Sequence, residues 1–441
     1  MGLQPDTLTV AKLGEAMFPS PLRLRGEHFV DDAHRVLTCA DTAELQPFLE
    51  AGKMPPAFEP AGPRSQIFFD PAHLTCGLVT CGGLCPGLNN VIRSIVLTLT
   101  YAYGVSQIVG FRYGYAGLAS SSGFAPMRLT PEIVENIHEH GGSLLGSSRG
   151  PQELREMVDT LVKWNVGVLF TIGGDGTLKG ASALSQEIAR RGLPISVIGV
   201  PKTIDNDLEW IERSFGFATA VEEADNALVA AHAEARGAWN GVGLVKLMGR
   251  DSGFISAHTS LANSDVNFCL VPEVPFQLDG EGGFLQALEA RLEQKHHAVV
   301  VVAEGAGQDL LQTPHHLTRD ASGNIRYQDI GVFLRDQIAW YFAQRGKEVT
   351  IKYIDPSYII RGIPANSVDS EYCLQLGQHA VHAGMAGRTD MVVGYWNQHF
   401  THIPIRVVVS RRKQLDPEGG VWLRILEATG QPASMANPLA S

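Results

Sequence analysis

Short apolar runs alternate with longer segments in which apolar residues recur at helical spacing, from about residue 74 to residue 354. This alternation predicts parallel strands joined by helices that cover both faces of a sheet. The predicted strands cover residues 74–81, 107–111, 166–172, 195–200, 242–247, 267–271, 298–303 and 349–354. The predicted helices cover residues 91–103, 131–140, 152–164, 178–191, 219–235, 283–294 and 332–345.

The two series of elements predict an α/β fold with two Rossmann-like lobes, mostly parallel sheets and an active-site cleft between the lobes. We expect the first lobe to cover residues 73–216 plus about 374–400, and the second to cover 217–373 plus about 401–425. Residues 1–72 show weak periodicity and include the proline-rich, linker-like stretch 53–64, so they predict an extension that packs on other structure. The small, polar residues 426–441 predict a disordered tail.

Composition narrows the class of protein. A formal net charge of −11 over 441 residues argues against a nucleic-acid partner held by bulk charge. The apolar runs are shorter than a membrane span, and the N-terminus lacks a signal-peptide pattern. Six cysteines in apolar or glycine-rich segments are typical of reduced cytosolic thiols, and the Cys81–Cys85 spacing has no second pair to complete a zinc site. We therefore expect a cytoplasmic protein without nucleic-acid or membrane partners.

A first loop suited to magnesium and phosphate follows the strand 166–172. Asp175 stands between Gly174 and Gly176, so its carboxylate can hold a metal ion while unobstructed backbone approaches phosphates. A tight turn in which Asp175 caps the next helix would have the same residues.

A second loop, PKTIDND at 201–207, follows the next predicted strand and favours a phosphate site over the simple turn. Lys202 can neutralise a transferred phosphoryl group, and Asp205 can accept the proton of an attacking hydroxyl. Asp207 can stabilise the loop or belong to the coordination shell of the metal ion. Together the two loops predict phosphoryl transfer.

A glycine-rich turn after the strand 74–81 contains Gly82 and Gly83, which would let backbone N–H groups approach a phosphate. The turn lacks both the Gly-Lys-Ser/Thr ending of a P-loop and the GxGxxG dinucleotide pattern. A purely structural turn is the alternative.

Four motifs in this order carry a family resemblance: GGDGT (173–177), PKTIDND (201–207), MGRDSG (248–253) and DPSYIIRGIPAN (355–366). The chain resembles the 6-phosphofructokinase family, in particular its longer, plant- and trypanosomatid-like ATP-dependent branch. GGDGT alone also resembles NAD kinases and lipid kinases, which lack the second loop.

The resemblance implies transfer of a phosphoryl group from Mg–ATP to the 1-hydroxyl of fructose 6-phosphate, in glycolysis. It implies catalytic roles for Lys202, Asp205 and Arg250, with Asp205 as general base. Of Arg250 and Arg361, one would stabilise the negative charge that develops on the transferred group, and the other would bind the sugar's 6-phosphate. The implied ATP-binding residues, in the first lobe, are Gly83, Arg149, Gly150, Gly174, Asp175 (on Mg²⁺), Gly176 and Thr177. The implied sugar-phosphate contacts are Thr203, Ile204, Asp205, Met248, Gly249, Arg250, Glu304, Tyr358, Ile359, Ile360 and Arg361.

The phosphoryl donor depends on two positions. In the family, an aspartate at the position of Gly176 goes with pyrophosphate use, so the glycine here favours ATP. A lysine at the position of Lys202 also occurs in pyrophosphate enzymes, so this residue favours pyrophosphate. Two alternatives therefore stay open: a pyrophosphate-dependent phosphotransferase, and a non-catalytic regulatory subunit of the same fold.

At two positions this chain differs from the family's pattern of contacts from a partner subunit. The short bacterial enzymes have arginines where this chain has Gly241 and Lys352, so their 6-phosphate clamp cannot be fully reproduced. The resemblance implies a homo-oligomer, a dimer or a tetramer.

Overall fold

The computed structural model describes residues 5–311 and 325–437, which form two compact units. The first unit contains the described residues up to Ile204, together with Leu208–Gly216 and Gly362–Arg412. The second contains Asp205–Asp207 and the described residues of Phe217–Arg361 and from Lys413 onward.

The strands of the described residues are β1 (Ala11–Lys12), β2 (Phe18–Pro19), β3 (Val36–Leu37), β4 (Ala57–Pro60), β5 (Gln66–Ile67), β6 (Thr75–Thr80), β7 (Gln107–Gly110), β8 (Met127–Arg128), β9 (Val166–Gly173), β10 (Ser196–Pro201), β11 (Gly241–Leu247), β12 (Phe268–Leu270), β13 (His297–Ala303), β14 (Thr350–Ile354), β15 (Arg388–Thr389), β16 (Met391–Trp396) and β17 (His399–Pro404).

The α-helices are α1 (Thr42–Glu50), α2 (Leu88–Leu97), α3 (Leu154–Lys163), α4 (Asp175–Arg190), α5 (Phe217–Arg236), α6 (Phe254–Ala262), α7 (Phe284–Lys295), α8 (Gln308–Leu311), α9 (Ile330–Gln344), α10 (Ser357–Gly362), α11 (Ser367–Met385), α12 (Ile405–Val408) and α13 (Gly420–Thr429). Short 3₁₀ segments cover Pro5–Leu8, Gly26–His28, Gly114–Leu118, Ser120–Ser122 and Ile137–Glu139, and a π-helical turn covers Thr98–Ala102.

The first unit is built on a sheet with the strand order β3-β4-β17-β16-β10-β9-β6-β7-β8. The central pairs, from β16 to β7, are parallel, and the pairs at both edges are antiparallel. Every residue of β10 and nearly every residue of β9 is buried, as expected for parallel strands covered by helices on both faces.

The second unit has a fully parallel sheet in the order β12-β13-β11-β14. Its apolar strands pack against helices that include α7 and α9. The two sheets confirm the predicted α/β class with mostly parallel strands.

The described residues of the N-terminal extension belong to the first unit, and the interpretation of residues 53–64 as a linker is wrong. Residues 53–64 contain β4, which pairs with β17 and places Glu59 opposite His402. Glu59 is buried and bonds Arg64 and Arg388 at 3.0 and 2.8 Å. This ion network holds the proline-rich stretch in the sheet, which the local composition could not reveal.

The predicted helix 131–140 is wrong, because the structure has only the 3₁₀ segment Ile137–Glu139 there. Side chains of α2 bond two carbonyl groups of this segment, and a helix over 131–140 would use one of them, that of Glu135. Arg93 Nε donates to Glu135 O (3.1 Å) and Asn89 Nδ2 donates to His140 O (3.0 Å). A tertiary hydrogen bond therefore takes the place of a helical one at Glu135.

The predicted disorder of the tail is wrong for residues 426–437. Helix α13 extends to Thr429, the buried Gln431 bonds the main chain of Cys269, and Met435 is buried in the second unit. Residues 438–441 lie outside the described part of the chain, as do residues 1–4 of the extension.

The boundaries of the two units differ from the expected lobe boundaries. Residues 362–412 all belong to the first unit, whereas the expected return to the first lobe covered about 374–400. Two contacts account for the longer return: α11 packs on α2, where Ser94 Oγ donates to Leu374 O, and β17 extends the first sheet.

Candidate active site

Three neighbouring strands of the first unit end at the same edge of the sheet. In the register of the parallel pairs, Thr80 of β6 and Val200 of β10 both lie opposite Ile172 of β9. The loops that follow these strands therefore lie side by side, which is where ligands bind in open α/β sheets.

The glycine turn and the second loop are joined by Lys202. This side chain is buried, and its Nζ donates a 2.7 Å hydrogen bond to Gly83 O, while its N–H donates to Gly173 O. A Cβ atom on Gly83 would lie 3.6 Å from Arg149 Nη2, and Gly150 beside it has a φ of 95°. The structure thus brings together Gly83, Arg149 and Lys202.

Asp175 is the first residue of α4, where the helix dipole favours a carboxylate. Its side chain is 12% exposed, and Oδ2 lies 2.9 Å from Lys179 Nζ and 3.6 Å from Arg412 Nη2. The carboxylate is therefore partly exposed and is neutralised by two cations.

The residues around Asp175 differ in the space that they leave. A Cβ atom on Gly174 would lie 3.1 Å from Lys202 O, whereas a Cβ atom on Gly176 would meet nothing within 4 Å. Thr177 is buried, and its carbonyl accepts a 2.7 Å hydrogen bond from Tyr115. The surface above Gly176 is thus open to a ligand.

The PKTIDND loop passes from the first unit to the second between Ile204 and Asp205. On the first unit, Thr203 O accepts a 2.6 Å bond from Ser214 Oγ, and the Ile204 side chain is buried. On the second, Asp205 O accepts from Ser252 Oγ at 3.3 Å. Ligand contacts of Ile204 would therefore involve its main chain.

In the second unit, the adjacent strands β11, β13 and β14 end before the segments that contain the other predicted residues. The N–H groups of Glu304 and Gly305 donate to the carbonyls of Leu247 and Gly249 at 2.9 and 3.0 Å. These bonds bring Met248–Arg250 and Glu304 together at one sheet edge.

Two arginines lie around this edge. Arg250 lies over the Tyr327 ring at 4.3 Å and donates to Ile325 O. Arg361 Nε lies 3.1 Å from the sulfur of the buried Met248. Lys352, which stands where the short bacterial enzymes have an arginine, pairs with Glu234 at 3.2 Å.

The predicted residues of α10 divide into two groups. Tyr358 and Ile359 are 86% and 66% exposed, so both side chains are accessible on this unit. Ile360 is fully buried, so its side chain belongs to the core and only its main chain could contact a ligand.

Two charged residues at these loops, the basic Arg412 and the acidic Glu273, were not predicted from the sequence. Glu273 accepts hydrogen bonds from Gly253 N (2.9 and 3.0 Å) and Leu415 N (2.8 Å). Burial raises the pKa of Glu273 despite these bonds. The basic run 411–413 is visible in the sequence, but its position relative to Asp175 depends on the fold.

Cys81 and Cys85 are buried thiols, and burial raises the pKa of Cys81 to about 11. Within residues 5–311 and 325–437, no group of three or more His, Cys, Asp or Glu side chains is arranged to hold a metal ion. In the same ranges, no helix is long and apolar enough to cross a membrane.

The sequence is similar to a known family and to known proteins. A phosphofructokinase family model matches residues 75–384. An ATP-dependent 6-phosphofructokinase of Borreliella burgdorferi is 51% identical over 387 residues, 86% of each chain. The relative of that name from Amycolatopsis methanolica is 49% identical over 445 residues, 98% of this chain and 96% of its own. That of Trypanosoma brucei brucei is 48% identical over 374 residues, 84% of this chain and 76% of its own.

Among solved structures, a pyrophosphate-dependent phosphofructokinase from Marinobacter aquaeolei is similar, with a TM-score of 0.66 and 19% sequence identity. The similarity covers 81% of this chain and 91% of that one. At this identity it supports the fold alone, and it agrees with the predicted α/β architecture.

Proposed function

Since the chain belongs to the phosphofructokinase family, we propose that it is an ATP-dependent 6-phosphofructokinase. It transfers the γ-phosphoryl group of ATP to the 1-hydroxyl of fructose 6-phosphate, giving fructose 1,6-bisphosphate and ADP in glycolysis. The observation that carries this proposal is the alignment of β6, β9 and β10, which sets the glycine turn, Asp175 and Lys202 side by side.

The donor would bind at the edge of the first unit's sheet. The open space at Gly176 can admit nucleotide phosphates, and Arg149 near Gly83 supplies positive charge. Asp175 fits magnesium, because Mg²⁺ commonly binds one or two carboxylates together with substrate phosphates. The ion would neutralise charge on the transferred group, and Asp175 would hold it.

The acceptor hydroxyl would be deprotonated by Asp205. Ser252 bonds the main chain of Asp205, which helps to hold this residue in a fixed position. A base positioned in this way lowers the barrier by taking the proton as the oxygen attacks phosphorus in line.

The sugar phosphate would be bound by the second unit. Arg250 and Arg361 can provide guanidinium groups for the transferred group and for the 6-phosphate. Glu304, Gly249 and the exposed Tyr358 would complete the contacts.

ATP is the donor that we favour over pyrophosphate. Gly176 leaves the space that an aspartate would occupy, and the bond from Lys202 to Gly83 assigns the lysine a structural role that serves either donor. The relatives named above are described as ATP-dependent.

A donor comparison tests the proposal. The purified full chain would be assayed with fructose 6-phosphate and Mg²⁺, using either ATP or pyrophosphate, and fructose 1,6-bisphosphate formation would be measured. We expect turnover with ATP to be the more efficient. Equal or better turnover with pyrophosphate would overturn the donor assignment, and no turnover with either would favour the regulatory-subunit alternative.

A homo-oligomer, dimer or tetramer, and a cytoplasmic location belong to the same proposal. Light scattering after size-exclusion chromatography would measure the oligomeric state. A monomer with full activity would contradict the expectation.

A further inference from the structure

Arg412, which lies outside every motif of the sequence, is adjacent to the proposed donor site. It follows α12 in the chain, and its Nη2 atom lies 3.6 Å from Asp175 Oδ2. The Arg412 side chain is 35% exposed, so it is accessible to a ligand that approaches Asp175.

The main chain around Arg412 is held on both sides. Arg412 forms an antiparallel bridge with the buried Leu208, the residue that directly follows the PKTIDND loop. The next residue, Lys413, donates its N–H to Asp207 O at 2.9 Å. A guanidinium on such a fixed backbone loses less freedom when it binds a ligand.

Two cations lie beside the Asp175 carboxylate. Lys179 and Arg412 provide two positive charges around one carboxylate. A metal ion bound to the carboxylate would repel both cations, and donor phosphates are the anions that would attract them at this place. The planar guanidinium fits phosphate oxygens better than the 57%-exposed ammonium of Lys179.

We propose that Arg412 is a phosphate-binding residue of the donor site. Its guanidinium pairs with Asp175 before the donor arrives, and with phosphate oxygens of a metal-bound nucleoside triphosphate afterwards. The inference rests on the proposed function, because it requires a phosphate donor at Asp175.

Binding of Mg–ATP to the full chain, measured by calorimetry, tests this role directly. Arg412→Ala should weaken Mg–ATP binding about tenfold or more, as expected for a lost charge-assisted hydrogen bond. Arg412→Lys should fall between this variant and the wild type, since it keeps the charge and loses the fork. Fructose 6-phosphate affinity should stay within about twofold of the wild-type value.

Arg411→Ala is the matched control. Arg411 directly precedes Arg412 in the chain, and its side chain is 74% exposed. It pairs with Glu209 at 2.8 Å, whereas Arg412 lies beside Asp175. Its removal should leave Mg–ATP affinity unchanged.

The outcomes separate this inference from the proposed function. If the wild type binds Mg–ATP and folded Arg412→Ala binds it equally well, only the role of Arg412 is overturned. If Arg412→Ala does not fold, the lysine variant decides, and a wild-type affinity there overturns the role. If the wild-type chain does not bind Mg–ATP, the proposed function fails as well.

Discussion

The Nζ atom of Lys202 donates a 2.7 Å hydrogen bond to the main-chain carbonyl of Gly83. A lysine in the second loop thus holds the glycine turn that follows β6, whereas the space at Gly176 is open. A charged residue that looks like a ligand contact in sequence can therefore also organise the site.

Gly176→Asp should reduce kcat/KM for ATP by about tenfold or more, because the added carboxylate enters the open space proposed for the donor. Steady-state kinetics with ATP and with pyrophosphate would measure the change. Gly176→Ala is the control, since its Cβ meets no atom within 4 Å and it should keep most of the ATP activity. Full ATP activity in the aspartate variant would show that donor phosphates do not approach this position.

Asp205→Asn should lower kcat by about a hundredfold or more and leave the KM for both substrates within a few-fold. The amide keeps the size of the side chain and cannot accept the hydroxyl proton. Asp279→Asn, an exposed position in the same unit, is the control. Near-normal kcat in the Asp205 variant would exclude this residue as the base.

The free energy of unfolding should fall as pH drops from about 7 to 5, because two buried histidines resist protonation in the folded state. Burial lowers the pKa of His379 from 6.5 to about 3 and that of His382 to about 4. Below pH 6.5 the unfolded chain gains protons that the folded chain does not bind. Stability is thus complete above pH 6.5 and declines until the folded-state pKa values are reached.

Chemical denaturation at pH 7 and pH 5 would measure this loss, which should be about 2–4 kcal/mol for the pair. His379 is stacked on Phe400 with ring centroids 4.4 Å apart, so His379→Leu keeps an apolar contact there. This variant should depend less on pH than the wild type, whereas exposed His28→Gln should not alter the dependence. Identical stability at both pH values in the wild type would contradict the prediction.

Glu59→Gln should destabilise the protein by about 3 kcal/mol, because it removes a buried negative charge from between Arg64 and Arg388. Lys352→Ala is the control, since it breaks an exposed pair with Glu234 outside this network and should cost less than about 1 kcal/mol. Guanidinium denaturation would measure both variants. Equal losses would show that the buried network contributes no more than a surface pair.

The Glu59 network also explains a wrong prediction. Local composition makes 53–64 look like a linker, because prolines disfavour regular structure. Arg388, more than three hundred residues later in the chain, supplies the charge that holds this stretch in the sheet. A sequence pattern reports local preference and cannot report a partner so far away.

The amino-acid sequence by itself determined the alternation of strands and helices, since buried parallel strands require continuous apolar runs and helices require apolar residues at 3.6-residue spacing. It also predicted which loops serve phosphate chemistry, because GGDGT and PKTIDND directly follow such strands. Only the tertiary structure decided that Lys202 reaches Gly83, that Ile360 is buried and that Arg412 lies beside Asp175. Those relationships depend on strand order and long-range packing, which no local spacing encodes.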